Sequence, residues 1–520
     1  MNLRDTTIGI EFGSTRIKAV MIDRRHNAIA SGSYGWENTL SNGIWTYSMQ
    51  EVLFGLQSCF KDLKMDFERR FGQRLTATGA IGISAMMHGY IALDDHDRLL
   101  VPFRTWRNTT TGEAAAELTE LFDFNIPQRW SVAHLYQAVL NNEEHVPMVS
   151  KVATLASYVH YLLTGCFVSG VGDASGMFPI DSTTITYDRK MEGKFNALLS
   201  KKGLKLKLDS VLPKVLKAGD DAGFLTSEGS LIIDPTGEFE SGIRMAPPEG
   251  DAGTGMVATN SVAVYTGNVS AGTSDFAMVV LDHIPGRHRE LDLVTTPSGE
   301  AVAMVHCNNC TTDIDNWIGL FGDFAKEFGM DIPKDELFSK LYGIALEGEP
   351  DCGGLLSCNY HSGEGVTDFD RGLPMFLHPT ESRMSVANFM RCHLYSALST
   401  LKIGMDVLKV ENIRINRILA HGGFFKTGMA GQRMLSAALG VPVSSMETAG
   451  EGGPYGMALL CAFMLWNEGE SLASYLEDKV YIGMEVSTIK ADASEFSGFD
   501  AFVANYRRLL EVERKAVEVL

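Results

Sequence analysis

Two short stretches of this chain place glycine and hydroxyl residues where they could hold a phosphate. Ile8-Gly9-Ile10-Glu11-Phe12-Gly13-Ser14-Thr15-Arg16-Ile17-Lys18-Ala19-Val20 is a pair of apolar runs joined by a Gly-Ser-Thr turn, with an acid just before it. Runs rich in Ile and Val read as strands, and Gly13 allows both the turn and the close approach of an anion. Backbone N–H groups of Ser14 and Thr15 pointing into the turn would form an anion-binding nest. Glu11 is a hard oxygen ligand of the kind Mg²⁺ takes, directly or through water. Lys18 either adds positive charge nearby or points to solvent. A surface hairpin with an incidental acid has the same sequence, and this segment alone does not separate the two readings. Gly267 to Val280 repeats the pattern, with Gly272-Thr273-Ser274 at its turn. In His421-Gly422-Gly423-Phe424 the paired glycines let a flat ligand lie against backbone. Asp251, an acid after Gly250 in a loop, has by itself the reading of a turn or N-cap residue.

Alternating strands and helices in two blocks must position these groups. The pattern predicts a strand over 78–83 leading into Ser84-Ala85-Met86-Met87-His88-Gly89, and a helix over 148–164 closed by Gly165. Further helices are expected over 385–410 and 431–439, with a strand over 417–420 between them. Glu447-Thr448-Ala449-Gly450-Glu451-Gly452-Gly453 then opens a core helix over 455–466. A Gly- and Pro-containing stretch ending at Pro247-Pro248-Glu249-Gly250 sets a domain boundary near 255, giving domains 1–255 and 256–520. The apolar residues between Phe499 and Leu520 suit a helix packed on its own chain or on a second subunit, so a homodimer is possible.

Length and charge narrow the function class. A chain of 520 residues exceeds what one core usually holds. A net charge of −19 without a Lys/Arg cluster argues against a nucleic-acid surface. No apolar run is long enough for a membrane span, and the first strand starts too early for a signal peptide, so a cytoplasmic protein is expected. Eight cysteines are too sparse for a disulfide scaffold, and Cys307-Asn308-Asn309-Cys310 lacks the second pair a structural zinc site needs. No G-x-x-x-x-G-K-[ST] or H-E-x-x-H occurs. Gly170-Val171-Gly172-Asp173-Ala174-Ser175-Gly176 is one residue too long for a dinucleotide fingerprint and follows a helical pattern rather than a strand.

The order of these segments is more specific than any one of them. The first hairpin, Met87-His88-Gly89, the apolar helix before Gly172-Asp173-Ala174-Ser175-Gly176, Gly250-Asp251-Ala252-Gly253, Gly272-Thr273-Ser274, Ser362-Gly363-Glu364 and His421-Gly422-Gly423 follow one another as in the FGGY family of carbohydrate kinases. The chain resembles that family from about residue 8 to 465. The resemblance implies an α/β protein of two ribonuclease-H-like domains of the actin and hexokinase type, with ATP and sugar in a central cleft. It makes Asp251 the catalytic base, and assigns Gly13, Ser14, Thr15 and Lys18 to a first phosphate loop. Gly272, Thr273 and Ser274 become a second phosphate loop, and Gly422 and Gly423 the adenosine site. Met87, His88, Trp106 and Asp251 fall at sugar-contacting positions, Glu11 at the Mg²⁺ position, and Gly363-Glu364 at a structural turn. Met87-His88-Gly89 stands where glycerol kinases carry an Arg-Glu pair, which favours the pentulose kinases and, narrowly, D-xylulose over L-ribulose. Two departures stand out: Glu11 replaces the usual Asp, and Trp106-Arg107-Asn108-Thr109-Thr110 replaces the usual W-x-D-x-R near the sugar. The implied activity is ATP-dependent phosphorylation of a ketopentose's terminal hydroxyl. An actin-like ATP-binding regulatory protein with weak ATPase activity is the alternative.

Overall fold

The computed structural model describes residues 1–445, 452–484 and 486–520. The chain forms two compact units. The first comprises Met1–Val262, Leu293–Val302 and Glu451–Gly483, and the second Ala263–Asp292, Ala303–Gly450 and Met484–Leu520.

In the first unit β1 (Thr6–Phe12) runs antiparallel to β2 (Arg16–Asp23), and β2 antiparallel to β3 (Ala28–Gly35). The strand Ala80–Ala85 joins the other side of β1 in parallel, followed by Arg244–Met245, also parallel. The spatial order is therefore third, second, first, fourth, fifth. In the second unit the strand Thr266–Ala271 takes the place of β1. It is antiparallel to Asp275–Val280 on one side and parallel to Arg417–His421 on the other, which is parallel in turn to Val443–Ser445. With Ala301–Cys307 beyond Asp275–Val280, the order of five strands is the same. Such a duplicated mixed sheet is the ribonuclease-H-like arrangement that the resemblance implies.

Glycines inside strands mark where helices press on these sheets. A Cβ on Gly32 would lie 2.3 Å from the Cys59 carbonyl oxygen, because α1 (Met49–Phe71) crosses β3 there. Gly9 and Gly82 are register partners on adjacent strands. A Cβ on Gly9 would sit 2.1 Å from the Pro454 carbonyl oxygen, and one on Gly82 2.3 Å from Met457 Cε. The helix Gly452–Trp466 fills that slot, with Thr7 Oγ1 donating to the Ala458 carbonyl at 2.9 Å. A division at residue 255 assigns this helix to the second domain, whereas its packing joins it to the first unit. Of the segment read as opening it, 446–451 lies outside the described residues.

Two local expectations shift. The strand read at 78–83 is Ala80–Ala85. The helix read from 148 begins at Leu155, where the Thr154 hydroxyl accepts the Ser157 N–H. Lys151–Ala153 before it forms a short strand antiparallel to Ile91–Leu93. The C-terminal helix Ala493–Val519 buries Phe499, Phe502, Tyr506 and Leu509 within the second unit, with Phe499 4.2 Å from the Tyr395 ring. No helix among the described residues is long and apolar enough to cross a membrane.

Candidate active site

The first hairpin turn is held by its carbonyls. Trp36 Nε1 donates to the Gly13 carbonyl at 2.7 Å, Tyr47 Oη to that of Ser14 at 2.5 Å, and Trp36 N to that of Thr15 at 3.2 Å. Trp36 and Tyr47 stack at 4.1 Å, so one aromatic pair provides all three bonds. Trp106 Nε1 reaches Ser14 Oγ at 3.3 Å, which brings this sugar-position candidate against the first phosphate loop. With its carbonyls turned inward, the turn can present its Ser14 and Thr15 amides outward as a nest.

Lys18 is exposed and faces Glu11 across the strand pair. Burial, reinforced by the charge of Asp251 and opposed by that of Lys18, pushes Glu11 up to about 7. Its carboxyl also abuts Gly453, where a Cβ would be 2.7 Å from Glu11 Oε2. Two acids that repel one another beside the Gly13-Ser14-Thr15 turn form a hard-oxygen donor pair. No group of three His, Cys, Asp or Glu among the described residues forms a closed metal cage. That set fits a cation completing its shell with phosphate oxygens and water.

Asp251 opens the helix Asp251–Ala258, directly after the strand Glu249–Gly250, which pairs with Ser84-Ala85. Met87 N donates to Asp251 Oδ1 at 3.1 Å. Burial raises the Asp251 carboxyl to about 6, opposed by the N–H groups of Met87, Ala252 and its own residue. It is therefore mostly ionised at neutral pH. His88 adopts φ 72° and Gly89 φ 94°, a tight left-handed turn at the end of the strand Ala80–Ala85. The His88 ring lies 6.4 Å from the Trp130 ring at 19° and meets the Gly176 carbonyl through Nδ1 at 3.3 Å. Met87 thus meets Asp251, while the His88 ring faces Gly176 and Trp130 and Trp106 reaches Ser14 of the hairpin.

Sequence reasoning missed what holds this group. Glu249 is fully inside, and its carboxylate accepts the N–H groups of Gly172 at 3.3 Å and Asp173 at 2.9 Å, at the start of the helix Val171–Ala174. A Cβ on Gly170 would be 2.3 Å from Glu249 Oε1, and one on Gly176 2.5 Å from His88 Nδ1. Contrary to the helical pattern read before it, a short strand, Val168–Gly170, precedes this segment. Its amides bind a carboxylate of the protein itself. Asp173 accepts from Thr154 Oγ1 and Ser169 Oγ, and burial raises it to about 6. Burial and then the Asp173 charge raise Glu249 to about 8. The signal was present in the glycine pair and in an acid two residues before Asp251.

Asn108, read as a departure near the sugar, is a framework residue. Its Oδ1 accepts Trp45 N at 2.9 Å, while Nδ2 donates to the carbonyls of Trp45 and Thr105, each at 2.9 Å. An aspartate could make the first bond and not the other two.

In the second unit, the Gly272 and Thr273 carbonyls accept the N–H groups of Thr311 and Cys310, each at 3.0 Å. Gly422 has φ 101°, and a Cβ there would be 2.3 Å from the Ala271 carbonyl oxygen, so that glycine is required by the strand pairing. Gly423, like Gly272 and unlike Gly422, has open space at its Cβ position. His421, kept neutral by a burial that lowers it to about 4, meets Asn268 Nδ2 at 3.3 Å.

Residues 6–233 match the model of the FGGY carbohydrate kinase N-terminal domain, and residues 267–465 that of the C-terminal domain. A xylulose kinase of Lactococcus lactis is 22% identical over 440 residues, covering 80% of this chain and 79% of that protein. The crystal structure of a ligand-bound xylulose kinase from Lactobacillus acidophilus superposes with a TM-score of 0.79 at 16% identity, covering 98% of each chain. A gluconate kinase from the same organism superposes at 0.78 with 17% identity, again over 98% of each. At such identities the superpositions establish the fold and leave the substrate open.

Proposed function

The chain belongs to the FGGY family of carbohydrate kinases, and from that premise we propose that it transfers the γ-phosphoryl group of ATP to the terminal hydroxyl of a ketopentose, D-xylulose ahead of L-ribulose. The observation that carries the reading is Asp251: a carboxylate at a helix start, held by the N–H of Met87, the residue before His88. Asp251 accepts the hydroxyl proton as the sugar oxygen forms its bond to the γ-phosphorus and the bond to the β,γ-bridging oxygen breaks, releasing ADP. His88 hydrogen-bonds a sugar hydroxyl, and the left-handed turn at 88–89 sets the direction of its ring. In the first unit Ser14 and Thr15 serve as donors to phosphate oxygens; in the second the Gly272-Thr273-Ser274 turn is likewise a phosphate loop, and the open face of Gly423 suits the adenosine. Glu11 would hold Mg²⁺, directly or through water, and the ion when bound would neutralise phosphate charge. Xylulose kinases among the relatives support the pentulose assignment, as does Met87-His88 in place of an Arg-Glu pair.

An ADP-release assay across pentuloses, hexuloses, gluconate and glycerol tests the reading. We expect a strong response to one ketopentose that disappears in Asp251→Asn. ATP turnover indifferent to every sugar would instead support the regulatory ATPase alternative.

A further inference from the structure

We propose that Asn309, with Glu364 and Asp275 beside it, is the positioning unit of the second phosphate loop, and that it sets affinity for the nucleotide and not for the sugar. The inference rests on the kinase reading above. Its starting point is that the Gly272-Thr273-Ser274 turn is shaped by two backbone donors, Thr311 N and Cys310 N, so the turn is only as well defined as the 308–311 loop that carries them.

Asn309 fixes that loop with nearly every polar atom it has. Its Oδ1 accepts the N–H groups of His361 and Ser362, each at 2.9 Å, and the Ser362 hydroxyl at 3.1 Å. Its Nδ2 donates to the Ser362 carbonyl at 3.3 Å and to Glu364 Oε2 at 3.1 Å. Glu364 Oε2 also receives Asn308 N at 2.9 Å and Asn309 N at 3.3 Å. Asn359 Nδ2 closes the loop by donating to the carbonyls of Asn309 and Cys310, each at 3.1 Å. Asn309, Asn359 and Glu364 are all buried. Their bonds go to the loop and its neighbouring segment, so the effect proposed for them passes through the backbone of the turn.

The other end of the turn is anchored as well. Asp275 follows Ser274, is fully buried, and neither of its oxygens meets an N–H or O–H donor. Glu364 Oε1 is also without a partner, and the two carboxyls are near enough for their charges to repel. Cys307 beside Asp275 offers only a thiol, a weak donor. One buried carboxyl thus follows the turn directly, and the other sits on the segment that organises the loop gripping it.

Three variant sets test this in the full-length protein, with calorimetric titration of ATP in magnesium chloride as the primary readout. Asn309→Ala should weaken ATP binding about tenfold or more, because it leaves several buried N–H and C=O groups unpaired. It should leave KM for the sugar within about twofold, since the sugar-contacting residues sit on other elements. Glu364→Gln should bind ATP nearly as the native chain does, because its amide oxygen still accepts the Asn308 and Asn309 N–H groups. Glu364→Ala should behave like Asn309→Ala. The proposal is overturned if Asn309→Ala binds ATP normally, or if the two KM values rise together. It is also overturned if Glu364→Gln fails as badly as Glu364→Ala, which keeps the idea testable should Asn309→Ala not fold. Native protein that binds no ATP would overturn the kinase reading along with this one, whereas native binding with unaltered variants would overturn this one alone.

Discussion

The two glycine-hydroxyl hairpins, both proposed to hold phosphate, have their turns restrained by different means. In the first, the carbonyls of Gly13, Ser14 and Thr15 are drawn back by Trp36 and Tyr47, two stacked aromatic residues more than 20 positions further along. In the second, the carbonyls of Gly272 and Thr273 are drawn back by main-chain amides on a loop that buried polar side chains organise. The acids differ too: Glu11, before the first turn, is partly exposed, and Asp275, after the second, is sealed. A turn made to hold an anion thus needs its carbonyls restrained, and the chemistry of the restraint is free to vary. Side-chain donors tie the first hairpin to individual residues, whereas the second depends on a network.

The largest expected effect tests whether the chemistry lies wholly on the first side of this comparison. Asp251→Asn should lower kcat by about 10²–10⁴-fold with little change in either KM, the range for loss of a general base. Native kcat should rise with pH through about 6, as the Asp251 carboxyl loses its proton. Steady-state kinetics from acid to neutral pH check both, and a flat profile would remove Asp251 from the base role.

Next in size, Trp36→Phe keeps most of the aromatic packing and removes the donor to Gly13. KM for ATP should rise about tenfold, consistent with a buried carbonyl left unpaired. Combined with Asn309→Ala, the two losses should multiply, because the restraints share no partner. A double variant no worse than either single would mean the hairpins act as one device.

A smaller change is expected from Glu11→Asp, which shortens the acid and draws it away from Gly453. The Mg²⁺ concentration for half-maximal activity should shift a few-fold while KM for the sugar stays put, measurable by magnesium titration at fixed ATP. An unchanged magnesium dependence would count against Glu11 as a ligand.

The smallest effect is on stability. Glu249 is held well above its ordinary 4.5, at about 8, so the fold binds its proton more tightly than the unfolded chain does. Its cost is absent at pH below the ordinary value and grows as pH rises through about 8. Glu249→Gln keeps only one of the two acceptors for the Gly172 and Asp173 N–H groups, so it should melt below the native protein near pH 5 and close that gap as pH rises toward 8, as followed by differential scanning calorimetry.

How much of this was readable in the sequence divides along physical lines. Both hairpins were legible because a glycine and hydroxyls between β-branched runs constrain the backbone locally. Asp251 was singled out by its place after a glycine, and given a role only by the order of motifs around it. The restraints were not legible, since Trp36, Tyr47 and Asn309 act across distances that periodicity does not encode. Glu249 escaped notice because an acid in a strand reads as solvent-facing until its partners, the amides at 172 and 173, are located. Asn108 was misleading for the opposite reason: a change of residue type beside a candidate sugar position is a bond to Trp45. The placement of the helix Gly452–Trp466 was hidden by its uniformly apolar composition, although Gly9 and Gly82 already marked the strand surface it needs.

That slot has a consequence for how the protein is made. The sheet of the first unit is laid down before the second unit, yet the helix that covers Gly9 and Gly82 follows most of the second unit along the chain. Domains ordinarily fold in the order of their synthesis. Here the N-terminal sheet must wait, one apolar face uncovered, until residue 466 has emerged. During that interval the nascent chain is a client for any chaperone that binds exposed β-sheet, and a message truncated before the helix would yield an aggregating fragment instead of a free-standing domain.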